Sequence, residues 1–216
     1  MGRYGDRARE TLLDVAEEQF ALHGIDAVSN RKITERAGTA NHSAIAYHFG
    51  SRDGLIHALL ARVHDGVIAR RSTIAAGLPD SPTLRDLVHV GVRPWIDYLD
   101  SLPVPSYRAR FTYQAMLLPS VAESLRADID ESLQPDSGPI GADGVSHVPA
   151  PVLRTRMRIV TGLTLGLSAR YETELVAGTT EGNWASVGSF IADAVTGMLS
   201  APVTHPDDFT RGFGAP

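Results

Sequence analysis

The chain has 216 residues, 43% of them hydrophobic, a net charge of -5 and no cysteine. That length suits one large or two small domains with a real core. The missing cysteines exclude disulfides and thiolate metal sites, and the acidic balance means that any attraction to nucleic acid must come from local cations. The N-terminus, MGRYGDRARETLLD, has no apolar stretch of the signal-peptide kind. The longest weakly polar run, 159–169, is far shorter than the ~20 residues a membrane helix needs. A cytoplasmic protein with no membrane partner is expected.

Helical periodicity dominates and strand-like alternation is nearly absent, so the expected fold class is all-α. A first helix spans about Arg7 to His23, with Leu12, Leu13, Ala16 and Phe20 on one apolar stripe and Gly24 as its stop. Ser29 is an N-cap residue type for a short second helix, which carries Asn30, Arg31 and Lys32 outside, turns Ile33 and Ala37 inward, and ends at Gly38. A third helix is expected to start near Asn41 and run to about Tyr47. Ser51 then caps a long fourth helix reaching towards Ala76. Further helices are read over residues 84–99, 107–118, 121–133, 152–176 and 184–199. The Gly/Pro-rich segment 134–151 has no period and is read as a flexible loop or lid, and the chain from Pro202 on as a frayed tail.

Two short helices joined through Gly38 form a helix-turn-helix, in which the second helix enters the DNA major groove. The third helix has one large aliphatic residue, Ile45, so apolar burial alone does not explain it. Asn41, His42 and Ser43 can hydrogen-bond base edges or phosphates. Tyr47 and His48 close the helix within reach of phosphates, and Arg52 adds a cation at the next helix N-terminus, where free N–H groups favour anions. Thr39, Asn30, Arg31 and Lys32 complete the candidate DNA-binding set. Residues 1–54 hold seven cationic against eight acidic side chains, a net of -1. Binding must therefore depend on which face the cations occupy and on two copies per site.

These residues resemble a known family. The segment 7–55, with "QFALHG", then "ITERAG", then "YHFGSRDGL", is similar to the DNA-binding domain of the TetR (tetracycline repressor-like) transcriptional regulators. Tyr47, His48, Phe49, Ser51, Arg52, Asp53 and Leu55 carry the match. The stretch from Gly38 to Tyr47 is one residue longer than the commonest family spacing, which leaves open which of Asn41, His42 and Ser43 reads bases. The resemblance implies a helix-turn-helix domain over 1–54, a helical ligand-binding and dimerisation domain over 55–201, and a flexible tail over 202–216. It implies a ligand-responsive regulator, a repressor, that binds a near-palindromic double-stranded DNA operator as a homodimer and answers to a small-molecule effector.

Trp95, Tyr98, Phe111, Tyr113, Met116 and Leu117 are the candidate effector contacts, either lining an apolar cavity or serving as plain core. Leu163, Gly166, Leu167, Val187, Ile191 and Val195 lie on continuous apolar stripes of the last two helices and are the candidate dimer interface. Arg108 and Arg110 read as a solvated face, with an anionic ligand as the alternative. His57 and His64 lack a third ligand at metal spacing, so neither metal nor cofactor is expected. No Gly-x-Ser-x-Gly elbow, phosphate loop or His-Glu-x-x-His is present, which leaves a helical enzyme, or a helical interaction protein without DNA, as the alternative readings.

Overall fold

The computed structural model describes residues 3–39, 41, 43–124 and 144–204. Among them every regular element is helical: α1 (Arg3–His23), α2 (Asn30–Arg36), α3 (Ala44–Phe49), α4 (Arg52–Ala75), α5 (Leu84–Asp100), α6 (Arg108–Ala115), α7 (Ala150–Ala177) and α8 (Trp184–Ser200). The fold class is all-α, as expected. Residues 119–124 are helical as well; of the segments 121–133 and 134–151, residues 125–143 lie outside the described ones, as do 205–216 of the tail.

Local chemistry accounts for the boundaries. Ser29 caps α2, its hydroxyl accepting from Lys32 N at 3.2 Å. Ser51 caps α4 in the same way through Gly54 N at 2.9 Å. Thr83 and Asp86 form a reciprocal capping box at the start of α5, satisfying two backbone donors that would otherwise be orphaned. Gly24 and Gly38 end α1 and the α2 turn at φ 94° and 69°, where a Cβ would be strained. α3 starts three residues later than expected. Asn41 does not cap it: its side chain instead accepts from Ser43 N at 2.9 Å, and its carbonyl from Ala44 N at 3.0 Å. That is an Asx turn, which joins Asn41 to Ser43 ahead of the helix.

Two apolar cores result. The first gathers Leu12, Leu13, Ala16 and Phe20 of α1, Val28, Ile33 of α2, Ile45 of α3, Leu55 and Leu59 of α4, and Phe111 and Ala115 of α6. The second gathers α5, α7 and α8 around Trp95, Ile96, Leu153, Ile191 and Val195, with Val67 of α4 and Ala109 of α6. Thus α4 and α6 each contribute to both cores.

Close approach of α4 and α5 depends on Gly66. A Cβ there would fall 2.3 Å from Tyr98 Cε2 and 2.6 Å from Cδ2. The ring cannot retreat freely, because its hydroxyl accepts from Arg108 Nη1 at 2.6 Å and donates to Arg62 O at 3.4 Å. Gly66→Ala is therefore expected to destabilise the fold by about 1–3 kcal/mol, as overpacking does, despite a helix-propensity gain of about 1 kcal/mol. A urea unfolding midpoint at or above the wild-type value would show that α4 and α5 separate without penalty.

Candidate nucleic-acid interface

The recognition segment is anchored from behind. Ile33 and Thr34 of α2, and Ala44 and Ile45 of α3, are buried. Ala46 and Tyr47 stand outside, Tyr47 with 74% of its surface exposed. The loop before α3 is ordered by its own side chains. Thr39 Oγ1 accepts from Asn41 N at 3.2 Å, and Asn41 Oδ1 from Ser43 N. These bonds occupy acceptors and leave donors: the Thr39 and Ser43 hydroxyl hydrogens and the Asn41 amide protons. Asn41 and Ser43 are exposed. His42 lies outside the described residues.

Of the other candidates, Arg31 is exposed but paired with Glu35 at 2.7 Å, a contact that solvent keeps weak. His48 sits edge-on to Tyr47, ring centroids 4.9 Å apart. Arg52 departs most from expectation. Its guanidinium turns inward, donating to Asn30 Oδ1 at 2.9 Å and to the Ile25 carbonyl, and it lies 5.0 Å over the Phe20 ring. It ties α4 to α1 and to the start of α2, and it also occupies the Asn30 oxygen. The motif arginine here positions the helix-turn-helix rather than standing free as a cation.

Arg108 and Arg110 are likewise neither solvated nor waiting for an anion. Arg108 Nε donates to Glu17 Oε1 at 2.6 Å, and Arg110 Nε to Glu172 Oε2 at 3.3 Å. Glu172, 1% exposed, also accepts the Ala109 and Arg110 N–H groups at 3.0 Å each, capping α6 from α7 with a full negative charge. Arg62 of α4 meets Asp14, Glu10 and the far oxygen of Glu17. The seam between the two cores is thus a charged network, and the partners Glu17 and Arg108 lie 91 residues apart. No short-range signal in the sequence could have paired them.

The aromatic candidates for effector binding do not converge. Phe111 belongs to the first core, stacked on Phe20 with centroids 6.2 Å apart. Trp95 and Tyr98 belong to the second, Trp95 Nε1 donating to Ser168 Oγ at 3.0 Å. Tyr113 lies against Gly166, Met116 is half-buried and Leu117 is exposed. A cleft between α5 and α8, beside Ile96 and Gly188, offers only about 20 Å³, room for one water. Among the proposed dimer residues, Leu163, Gly166, Leu167 and Val187 are half-buried, while Ile191 and Val195 point into their own core.

The fold is a helix-turn-helix followed by a helical body. The family model described as "Bacterial regulatory proteins, tetR family" matches residues 12–59. The chain is 29% identical over 147 residues, 58% of its own length and 71% of the other, to the HTH-type transcriptional repressor KstR2 of Rhodococcus jostii (strain RHA1). A crystal structure of the probable transcriptional regulatory protein RHA5900 aligns over 90% of this chain and 100% of that one, with a TM-score of 0.44 and 19% identity. Over residues 12–59 the chain is thus similar to the tetR family of bacterial regulatory proteins, and over 58% of its length to a transcriptional repressor.

Proposed function

We propose that the protein is an effector-responsive repressor that binds a near-palindromic operator as a homodimer, with residues 1–54 as its DNA-binding domain, 55–201 as its sensor and dimerisation domain, and 202–216 as a flexible tail. The carrying observation is the two-sided build of the recognition segment: Ile45 is locked in the core, while Asn41, Ser43 and Tyr47 present donors and an aromatic hydroxyl to solvent. In this reading Tyr47, His48, Lys32 and Arg31 meet phosphates, and Asn41, His42 and Ser43 carry sequence choice. A second copy aligns two recognition helices with two half-sites, which compensates for a domain with no net positive charge. Absence of a membrane-length apolar helix among the described residues agrees with action at cytoplasmic DNA.

Dimerisation in this reading uses the outward stripes of α7 and α8. Phe190, 63% exposed, lines up with Ala194 and Gly197 at i, i+4 and i+7, and Ile159 stands out from α7. Response to an effector is a linkage between two arrangements of the subunits, one favoured by DNA and the other by the small molecule.

Selecting bound duplexes from a random pool tests the reading. A near-palindromic consensus is expected. Asn41→Ala, His42→Ala and Ser43→Ala are then compared on that consensus. The variant that removes a base contact is expected to relax preference at one base pair per half-site, by about 1–3 kcal/mol. Three variants with wild-type preference would place sequence choice outside the loop before α3.

A further inference from the structure

The first half of α1, the turn at 37–39 and α3 line an open cleft of about 430 Å³, which two residues of the candidate DNA-binding set, Thr39 and His48, share with α1. Among the described residues its polar lining is Arg7, Thr11, Thr39 and His48; the rest is alanine, glycine and leucine, with no carboxylate. In a domain with more acidic than basic residues, that is a local concentration of donors. Two of them are uncommitted. His48 Nδ1 is buried without a hydrogen-bond partner; it is closed to solvent as the ring stands, so an acceptor in the cleft reaches it only when the ring turns. Arg7 lends only its backbone carbonyl, to Thr11 Oγ1 at 3.0 Å, whereas Arg9, Arg31 and Arg52 are each held by neighbouring side chains or carbonyls. Thr39 spends its oxygen on Asn41 N and keeps its hydroxyl proton to give. The ligand these groups ask for is an anion with several oxygen acceptors. The volume exceeds that of a bare oxyanion, and the apolar floor of Ala8, Leu12 and Ala44 suits a sugar beside it.

Because α3, whose Tyr47 stands in solvent, lines the cleft, we infer that it seats one phosphodiester and its deoxyribose from the operator backbone, held by Arg7, His48 and Thr39. This rests on the DNA-binding reading above and adds α1 to the contact surface. Arg7→Gln is measured against wild type, with Arg7→Lys as the charge-restoring control, on the selected operator and on a scrambled duplex. The expected result is a salt slope lowered by about 0.9 per bound subunit, the share of one phosphate. A rise from 50 to 200 mM salt then costs the variant about 3.5-fold less affinity per subunit than it costs wild type. The change is expected on both duplexes and is reversed by lysine. An unchanged slope overturns the cleft, provided wild type binds; wild type that shifts no duplex overturns the DNA reading itself. A parallel arm titrates inorganic phosphate into the DNA-free protein and follows the His48 ring by NMR. Saturable shifts that vanish in Arg7→Gln, with no change in salt slope, would make the cleft a site for free phosphate and overturn the assignment to DNA.

Discussion

Ile191→Glu is expected to abolish folding and not merely dimerisation. Ile191 is fully buried, packed in the second core with Ala192, Val195 and Trp184. A glutamate there loses the burial of a large aliphatic side chain and places a carboxylate among apolar groups with no cation provided for it. The combined cost is several kcal/mol, a large share of the 5–15 kcal/mol that holds a domain together. Phe190→Glu, one residue away, should behave oppositely. Its ring stands in solvent in the isolated chain, so a charge costs the protomer little, while in a dimer closed over that stripe it would be buried unpaired. Circular dichroism should show lost helix for Ile191→Glu and wild-type helix for Phe190→Glu. Sedimentation should give a monomer for Phe190→Glu, and a gel shift should show lost operator binding. A dimeric, operator-binding Phe190→Glu protein would remove the outer face of α8 from the interface.

The contrast between these neighbours marks where the sequence stops being legible. Periodicity located α8 to within a residue, but both of its edges are apolar, and Phe190 and Ile191 are both large. Which edge faces home depends on Ile96 meeting Gly188 across α5, where a Cβ would come within 3.1 Å, and no local pattern encodes that meeting. Capping, by contrast, is local chemistry. Ser29 and Ser51 were readable because a side-chain oxygen and a backbone N–H three residues on suffice. Asn41 misled because the same oxygen can close an Asx turn as readily as cap a helix. The candidate DNA surface is proposed from the motif ending in Tyr47, His48 and Phe49. The motif does not show which of its side chains pair with one another. Arg52 turns inward because Ile25 O and Asn30 Oδ1 happen to sit above Phe20, a juxtaposition that exists only once α1, α2 and α4 have packed. The charged seam is the extreme case, since its partners come from α1, α4, α6 and α7.

That seam gives the other large effect. Glu17→Ala removes the acceptor that Arg108 Nε uses and one of the charges facing Arg62, while leaving both guanidiniums in place. Breaking a buried pair from one side costs about 3–5 kcal/mol. The lower end applies here, because Arg108 keeps the Tyr98 hydroxyl and Arg62 keeps Asp14. Glu17→Gln is expected to cost less than half as much, and the reason is the carboxyl group's own situation. Burial pushes the Glu17 pKa above its ordinary 4.5, outweighing the pull of Arg108 and Arg62, so the site favours a neutral group more than water does. An amide of the same shape keeps an acceptor for Arg108 and sheds the desolvation of a charge. The pH dependence follows from the same shift. With the folded pKa above the unfolded one, the stabilisation from this group is fully present below about pH 4.5 and is lost as pH rises through the folded value. The stability of wild type relative to Glu17→Gln should therefore fall as pH increases from 4.5 upward and level off beyond the folded pKa. Urea unfolding of wild type and both variants across that range measures all three quantities. Equal losses for alanine and glutamine would mean that the negative charge, and not the hydrogen bond, holds the seam. A relative stability that rises with pH would mean that the two arginines outweigh burial.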